Sequence, residues 1–206
     1  MIEYHQLLTF GDCIELKFEC DTRKLLKEIK DFEWLQYNPR KKINRYGLSI
    51  TSLDGKRNGI DLDSLWEYNK ENNTKYGEEN FKTKTDVYYA SEETRKLCEP
   101  FDPWLCRTHF LNFRRGGFFP LHRDQRTTKL QKSFRILVPI THCNPGQLYF
   151  IYDNKIMNFK HGTAYFLNTN KEHAIFSYSD KSVMLVMNIE CTPESVEKVM
   201  TSSRYA

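Results

Sequence analysis

The stretch FFPLHRDQRTTKLQKSFRILVPI, running from Phe118 to Ile140, decides how this chain is read. Gly116 and Gly117 stand just before it, and His122 and Asp124 lie two apart in a polar segment. Eleven residues after Asp124, Arg135 opens the apolar run Ile136-Leu137-Val138-Pro139-Ile140. A His-x-Asp in a loop after a glycine turn can place an imidazole and a carboxylate where side chains converge over the mouth of a sheet. Strand alternation puts Arg135 on one face with Leu137 and Pro139. A buried guanidinium is costly unless paired, and no acid lies in that strand. Either a carboxylate from elsewhere in the chain satisfies it, or it holds a ligand carboxylate in its fork.

His-x-Asp alone says little. With 27 acids in 206 residues, each of the six histidines has roughly a one-in-eight chance of an acid two places on. Context raises the signal, because His173 opens a second apolar segment further along. Two imidazoles and one carboxylate can occupy one face of an octahedron and leave three positions open, the ligand set of non-haem Fe(II) oxygenases. Zinc accepts the same set. No cysteine neighbours either histidine, which disfavours a closed structural zinc site.

Outward from this stretch the chain changes texture. Alternation in CIELKFEC (13–20) predicts a strand, and Asp21 or Thr22 is expected to cap a helix through RKLLKEIKDF. YGLSITSLDGK (46–56) reads as a strand entering an Asp-Gly turn, 61–73 as a short helix, and the polar 74–88 as a long loop. Ser91 opens a helix that Pro100 and Pro103 end. From Trp104 onward, seven short strands are expected at 105–113, 133–142, 147–153, 155–160, 163–168, 173–179 and 182–190, then a helix from Pro193. That rhythm means an antiparallel sandwich or barrel, with helices packed on one sheet.

Composition bounds the function. The net charge of +4 is mild and the lysines and arginines are dispersed, so a phosphate-tracking surface is not expected and nucleic acid is an unfavoured partner. The start, MIEYHQLLTF, does not read as a signal peptide, and the longest apolar run, Val183 to Met187, is too short to span a membrane. Six cysteines without a C-x-x-C pair read as reduced thiols. The expected location is the cytoplasm, the host cytoplasm if the chain is virus-encoded.

The pieces GGFFPLHRD, FRILVPI, HGTAYFLNTNKEH and the final apolar strand carry a resemblance. The chain resembles iron(II)/2-oxoglutarate-dependent dioxygenases of the aspartyl/asparaginyl β-hydroxylase-like branch, which includes free-proline hydroxylases. The family pattern is a glycine turn, H-x-D, an arginine four residues before a proline, a glycine-led aromatic strand and a distal histidine. The match covers about 104–191, and RYGLSITSLDG and GIDLDSLWEYNKEN resemble phage and marine bacterial members.

The resemblance implies an α+β, mainly β fold with a double-stranded β-helix core, the cupin-like jelly roll. It implies Fe(II) on His122, Asp124 and His173, and 2-oxoglutarate as co-substrate with its C5 carboxylate on Arg135. One departure stands out. The family places a basic residue about ten positions after the distal histidine, where this chain has Val183. Lys181, near that position and of the same strand parity, is the reserve.

The implied reaction uses O2 to hydroxylate an unactivated C–H of an amino-acid-like small molecule or a peptidyl residue, releasing succinate and CO2. Arg45 and Arg107 are candidate substrate contacts. The favoured alternative for Arg45 is a solvated surface charge, and Arg107 shares parity with His109. Loops 38–46 and 74–88 are expected to fold over the mouth as lids. The expected organisation is one domain, with an N-terminal elaboration (1–103), a catalytic core (104–191) and a C-terminal helix (192–206). The competing functions are a non-catalytic cupin-like binding module and a nucleic-acid oxidative demethylase. All three metal-ligand residues are present, against the first, and the arginine pair expected of the second is missing after His173.

Overall fold

The computed structural model describes residues 3–124 and 132–204. Residues 125–131, read above as part of the polar loop, lie outside the described residues. In chain order the strands are β1 (Cys13–Glu19), β2 (Leu35–Gln36), β3 (Arg45–Ser49), β4 (Thr51–Ser52), β5 (Thr83–Lys84), β6 (Leu105–Phe113), β7 (Phe118–His122), β8 (Ser133–Thr141), β9 (Leu148–Tyr152), β10 (Lys155–Ile156), β11 (Thr163–Leu167), β12 (His173–Ser177) and β13 (Ser182–Glu190). The helices are α1 (Tyr4–Leu7), α2 (Thr22–Glu28), α3 (Leu65–Asn72), α4 (Asp86–Ala90), α5 (Glu92–Cys98) and α6 (Pro193–Thr201).

The fold is mainly β, with antiparallel sheets and a few short helices. Seven strands form a major sheet in the order β1-β11-β8-β13-β6-β3-β2, and four form a minor sheet in the order β10-β9-β12-β7. β4 and β5 make a separate ribbon. Strands from both sides of residue 104 share the major sheet.

Alternation divides the major sheet. Phe134, Ile136 and Val138 of β8, Leu185 and Met187 of β13, Phe110 of β6 and Phe166 of β11 join one apolar cluster with Leu25, Leu97, Val196 and Val199 of the helices. The intervening residues Leu137, Met184, Val186, Leu111 and Leu167 join a second cluster with Leu148, Phe150 and Ile175 of the minor sheet. The order is therefore helices, major sheet, minor sheet.

The helices start where their caps allow. Asp21 accepts from the amides of Arg23 and Lys24, Ser91 from Thr94, and Thr192 shares a capping box with Ser195 ahead of Pro193.

Several expectations change. Phe118–His122, read as the start of a loop, is strand β7 at the edge of the minor sheet. Pro120 is tolerated there because an edge strand leaves one row of amides unpaired. The 74–88 segment is not a loop throughout, since it holds a 3-10 turn (Glu78–Asn80), β5 and the start of α4. The 46–56 strand is split into β3 and β4, and the 61–73 helix into a 3-10 turn (Ile60–Leu62) and α3. The strand expected at 155–160 shrinks to two residues, paired with β9 across Asp153 and Asn154, whose φ values of 46° and 62° suit a tight hairpin.

Gly117 earned its place by contact: a Cβ there would lie 2.2 Å from the Asn44 carbonyl oxygen. That approach seats β7 against the chain entering β3. No helix among the described residues is long and apolar enough to cross a membrane.

Candidate metal centre

β7 and β12 pair so that His122 and His173 stand directly opposite each other. Their ring centroids are 4.3 Å apart. Asp124 follows β7 by two residues, and its amide donates to the Thr169 carbonyl at 3.0 Å, which turns the side chain back toward the pair. Asp124 Oδ1 lies 3.4 Å from His122 Nε2 and 3.8 Å from His173 Nε2. One ligand atom from each residue falls within 4.8 Å of the others.

The donor set suits a divalent ion. Cis ligands about 2.1 Å from an octahedral ion lie about 3 Å apart, so the two spacings from Asp124 need a contraction of less than about 1 Å. Each imidazole is pinned from behind. His122 Nδ1 contacts the Pro120 carbonyl at 2.7 Å and His173 Nδ1 the Lys171 carbonyl at 3.0 Å. Each Nδ1 donates its proton to that carbonyl, which leaves Nε2 as a lone-pair donor.

Arg135 supplies the other half of the design. Its Nη1 is 2.8 Å from Asp124 Oδ2, its Nη2 3.4 Å from Glu78 Oε1, and its Nε donates to Asn188 Oδ1 at 3.0 Å. One carboxylate oxygen of Asp124 thus meets the guanidinium while the other faces both imidazoles. Burial pushes the Asp124 carboxyl up, but Arg135 and the two histidines outweigh it and hold it well below the usual carboxylate range. His122 is raised by its contact with Asp124, while burial lowers His173. His109, buried and beside Arg107 and Arg135, is pushed well below its ordinary value and stays neutral.

A cavity of about 180 Å³ opens on the triad. Arg107, His109 and Arg135 make its wall polar near the triad, while Leu111, Leu137, Ile175 and Met184 make the remainder apolar. An adjoining polar cleft shares Asp124, Arg135 and Thr169 and is bordered by Glu78, Glu79 and Lys132.

The structure brings His122, Asp124 and His173 together, with His122 on a strand rather than in a loop. Arg135 is at the site, and of the two partners open to it, carboxylates from elsewhere in the chain are present: Asp124 and Glu78. Lys181 is exposed at the turn before β13, outside the cavity lining. Arg107 lines the cavity, but its side chain donates to the carbonyls of Asp61 and Asp63 and pairs with Glu78 at 3.7 Å. Arg45 is not a solvated charge: it is 3% exposed. Arg40, also in the lid segment, is tied to Asp63 and Glu71.

Glu78 was missed, although an arginine in an acid-free strand asks for such a partner. Asn188, Tyr37 and Phe119 carry no signal apart from their strand neighbours.

No protein-family model matches this chain, and no curated protein matches it. Among solved structures it is similar to the viral collagen prolyl hydroxylase of Paramecium Bursaria Chlorella virus-1, in a 2OG complex, at 9% identity over 89% of this chain and 98% of that one, TM-score 0.49. A Pseudomonas putida prolyl-4-hydroxylase shares 12% identity over 90% and 95%, TM-score 0.47. A 2OG-Fe(II) oxygenase family oxidoreductase from Burkholderia pseudomallei shares 11% over 82% and 77%, TM-score 0.45. At such distances the geometry of the site has to carry the chemistry.

Proposed function

We propose that this chain is an Fe(II)- and 2-oxoglutarate-dependent dioxygenase that hydroxylates an unactivated C–H of an amino-acid-like small molecule or a peptidyl residue. The observation that carries this reading is the convergence of two back-pinned imidazoles and one carboxylate on a cavity, a donor set that would leave a bound ion open to further ligands. The strand orders support a double-stranded β-helix: β11-β8-β13-β6 in one sheet interleave in sequence with β10-β9-β12-β7 in the other. In this reading 104–191 is the catalytic core of a single domain, 1–103 its elaboration and 192–206 its closing helix.

With O2 and 2-oxoglutarate, the bound iron would supply the oxidising power, releasing succinate and CO2. The chain's own residues set the stage. His122 and His173 hold their Nε2 atoms toward the ion because Nδ1 is committed to a carbonyl. Arg135 stands 2.8 Å from Asp124 Oδ2 in an ion pair that is not a hydrogen bond, while Oδ1 faces both imidazoles. Its guanidinium, which lines the cavity, would be the group to meet a co-substrate carboxylate there. Leu111, Leu137, Ile175 and Met184 give the inner cavity an apolar lining, which would help to exclude water from a reactive site.

The test is anaerobic Fe(II) titration followed by succinate release in air across a panel of free amino acids and short peptides. One equivalent of iron and amino-acid-stimulated succinate are expected. Undiminished iron in the variant with alanine at 122, 124 and 173 would remove the metal assignment. Tight, salt-sensitive oligonucleotide binding coupled to succinate release would move the substrate to nucleic acid.

A further inference from the structure

Arg45 opens β3, and nothing described above explains it. Its Nε is buried without a hydrogen-bond partner, and no described acid pairs with its guanidinium. The contrast with its neighbours is plain. Arg40 has two carboxylates, Arg107 has Glu78 and two carbonyls, and Arg135 has Asp124, Glu78 and Asn188. Arg45 has only aromatic faces: its guanidinium carbon lies 4.0 Å from the Phe119 ring centroid and 5.4 Å from that of Tyr37. Cation–π contacts offset part of the desolvation of a cation. A charge without a counter-ion remains costly to bury. Burial accordingly lowers the guanidinium's pKa, opposed only by Tyr37 and by no carboxylate.

Its position points the same way. Arg45 pairs with Phe113, which pairs with Ser182, and Phe113 belongs to the cluster between the two sheets, so Arg45 shares that inward row. Both rings against it line the cavity. Phe119 also touches His122, with centroids 5.9 Å apart, so the guanidinium lies no more than about 10 Å from that ring. That is the reach of a short dicarboxylate. Arg45 stands one ring behind the wall, and of the two rings that separate it from the cavity Tyr37 is half-buried.

We propose that Arg45 anchors a carboxylate of a ligand whose other end lies at the metal face of the cavity. The clause about the ligand's other end rests on the oxygenase reading; the anchor itself does not. Two sources share this chemistry: the far carboxylate of a 2-oxo diacid, or the carboxylate of an acidic substrate. In either case the anion comes to a residue of the N-terminal sheet extension rather than to the strand that follows His173.

The experiment uses the full chain loaded anaerobically with Mn(II), in wild type, Arg45→Gln and Arg45→Lys. The probes are 2-oxoglutarate and pyruvate, a 2-oxo acid without the far carboxylate. If Arg45 holds the co-substrate, Arg45→Gln weakens 2-oxoglutarate at least about a hundredfold. Pyruvate and Mn(II) affinities stay unchanged, and Arg45→Lys restores part of the loss. If Arg45 holds the substrate, 2-oxoglutarate affinity is unchanged and the KM for L-aspartate or L-glutamate, read by succinate release, rises by that factor. Loss of neither overturns the proposal while leaving the oxygenase reading intact. A metal-free arm separates the two: glutarate should raise the thermal midpoint of wild type and not of Arg45→Gln, even if no succinate is ever formed. A protein that binds neither 2-oxoglutarate nor glutarate overturns both.

Discussion

On its helix side the major sheet presents Phe110, Phe134, Ile136, Val138, Leu185 and Met187. On its other side the same strands present Arg107, His109, Arg135 and Asn188 alongside Leu137 and Val186. Adjacent residues of one strand therefore sit in opposite solvents. The first face is dry and apolar, and its contribution to stability follows from area and packing. The second carries buried charges whose desolvation only partners can offset. β7 and β12 are hung opposite that second face; they carry His122 and His173, and Asp124 follows β7. The helix-side face stabilises the sheet; the cavity-side face spends stability to hold a site.

The largest effect that separates the faces is loss of metal. His173→Ala or Asp124→Ala should abolish Fe(II) uptake, while the thermal midpoint of the metal-free protein stays within a few degrees or rises for His173→Ala. Equilibrium binding with Fe(II) or Mn(II) reads this, and a folded variant that still binds one equivalent refutes the ligand set.

Next comes the opposite break. Phe110 is fully buried on the helix side, so Phe110→Ala should cost about 3–5 kcal/mol of stability. Iron affinity of the remaining folded fraction should not change. A matching loss of affinity would mean that the two faces are coupled through the sheet.

This division was half legible in the sequence. The continuous apolar runs of β8 and β13 announce strands buried on both faces, and His122, Asp124 and His173 announce a candidate metal site. What local patterns could not supply was the partner across space. Phe118–His122 hid behind two glycines and a proline, because being an edge strand depends on β12, 51 positions away at the histidines. Glu78 sat in a polar stretch with no periodicity, and only the fold brings it to Arg107 and Arg135. Arg45 looked solvated in NPRKKINRYG because its neighbours are charged. Its burial comes from β3 pairing with β6 and from Phe119 closing over it.

Asp61 sharpens the cost of the charged face. It accepts from Ser49 Oγ at 2.8 Å, but its other oxygen is buried with no partner. Burial lifts its pKa to about 6, against the opposing pull of Ser49 and Arg107. A carboxyl whose folded pKa exceeds its unfolded value contributes fully only below the unfolded value of 3.8. That contribution is lost as pH rises through about 6. At pH 7 the ionised group therefore costs stability, by no more than about 3 kcal/mol. Asp61→Asn should stabilise the protein at pH 7 and flatten the fall in stability between pH 4 and pH 6. Denaturant midpoints measured across that window decide it, and an unchanged pH profile would mean the carboxylate is better satisfied than its contacts imply.

The smallest effect concerns how Arg135 serves the metal. Its value lies in a fork: Nη1 in an ion pair with Asp124, and Nη2 and Nε donating to Glu78 and Asn188. Arg135→Lys keeps the charge, so Asp124 and Glu78 are not left as two uncompensated acids and the fold should survive. A single ammonium cannot reproduce three fixed directions. Asp124 then loses the partner that fixes Oδ2, and its Oδ1 spends less time facing His122 and His173. Loss of an orienting contact of this kind typically costs 10- to 100-fold in metal affinity. With the charge retained, the lower end is expected, about tenfold or about 1.4 kcal/mol. Mn(II) titration of both proteins at one pH reads it directly. If Arg135→Lys binds metal as tightly as wild type, charge rather than geometry is what Asp124 needs. If it binds no metal at all, Arg135 is part of the ion's own cage.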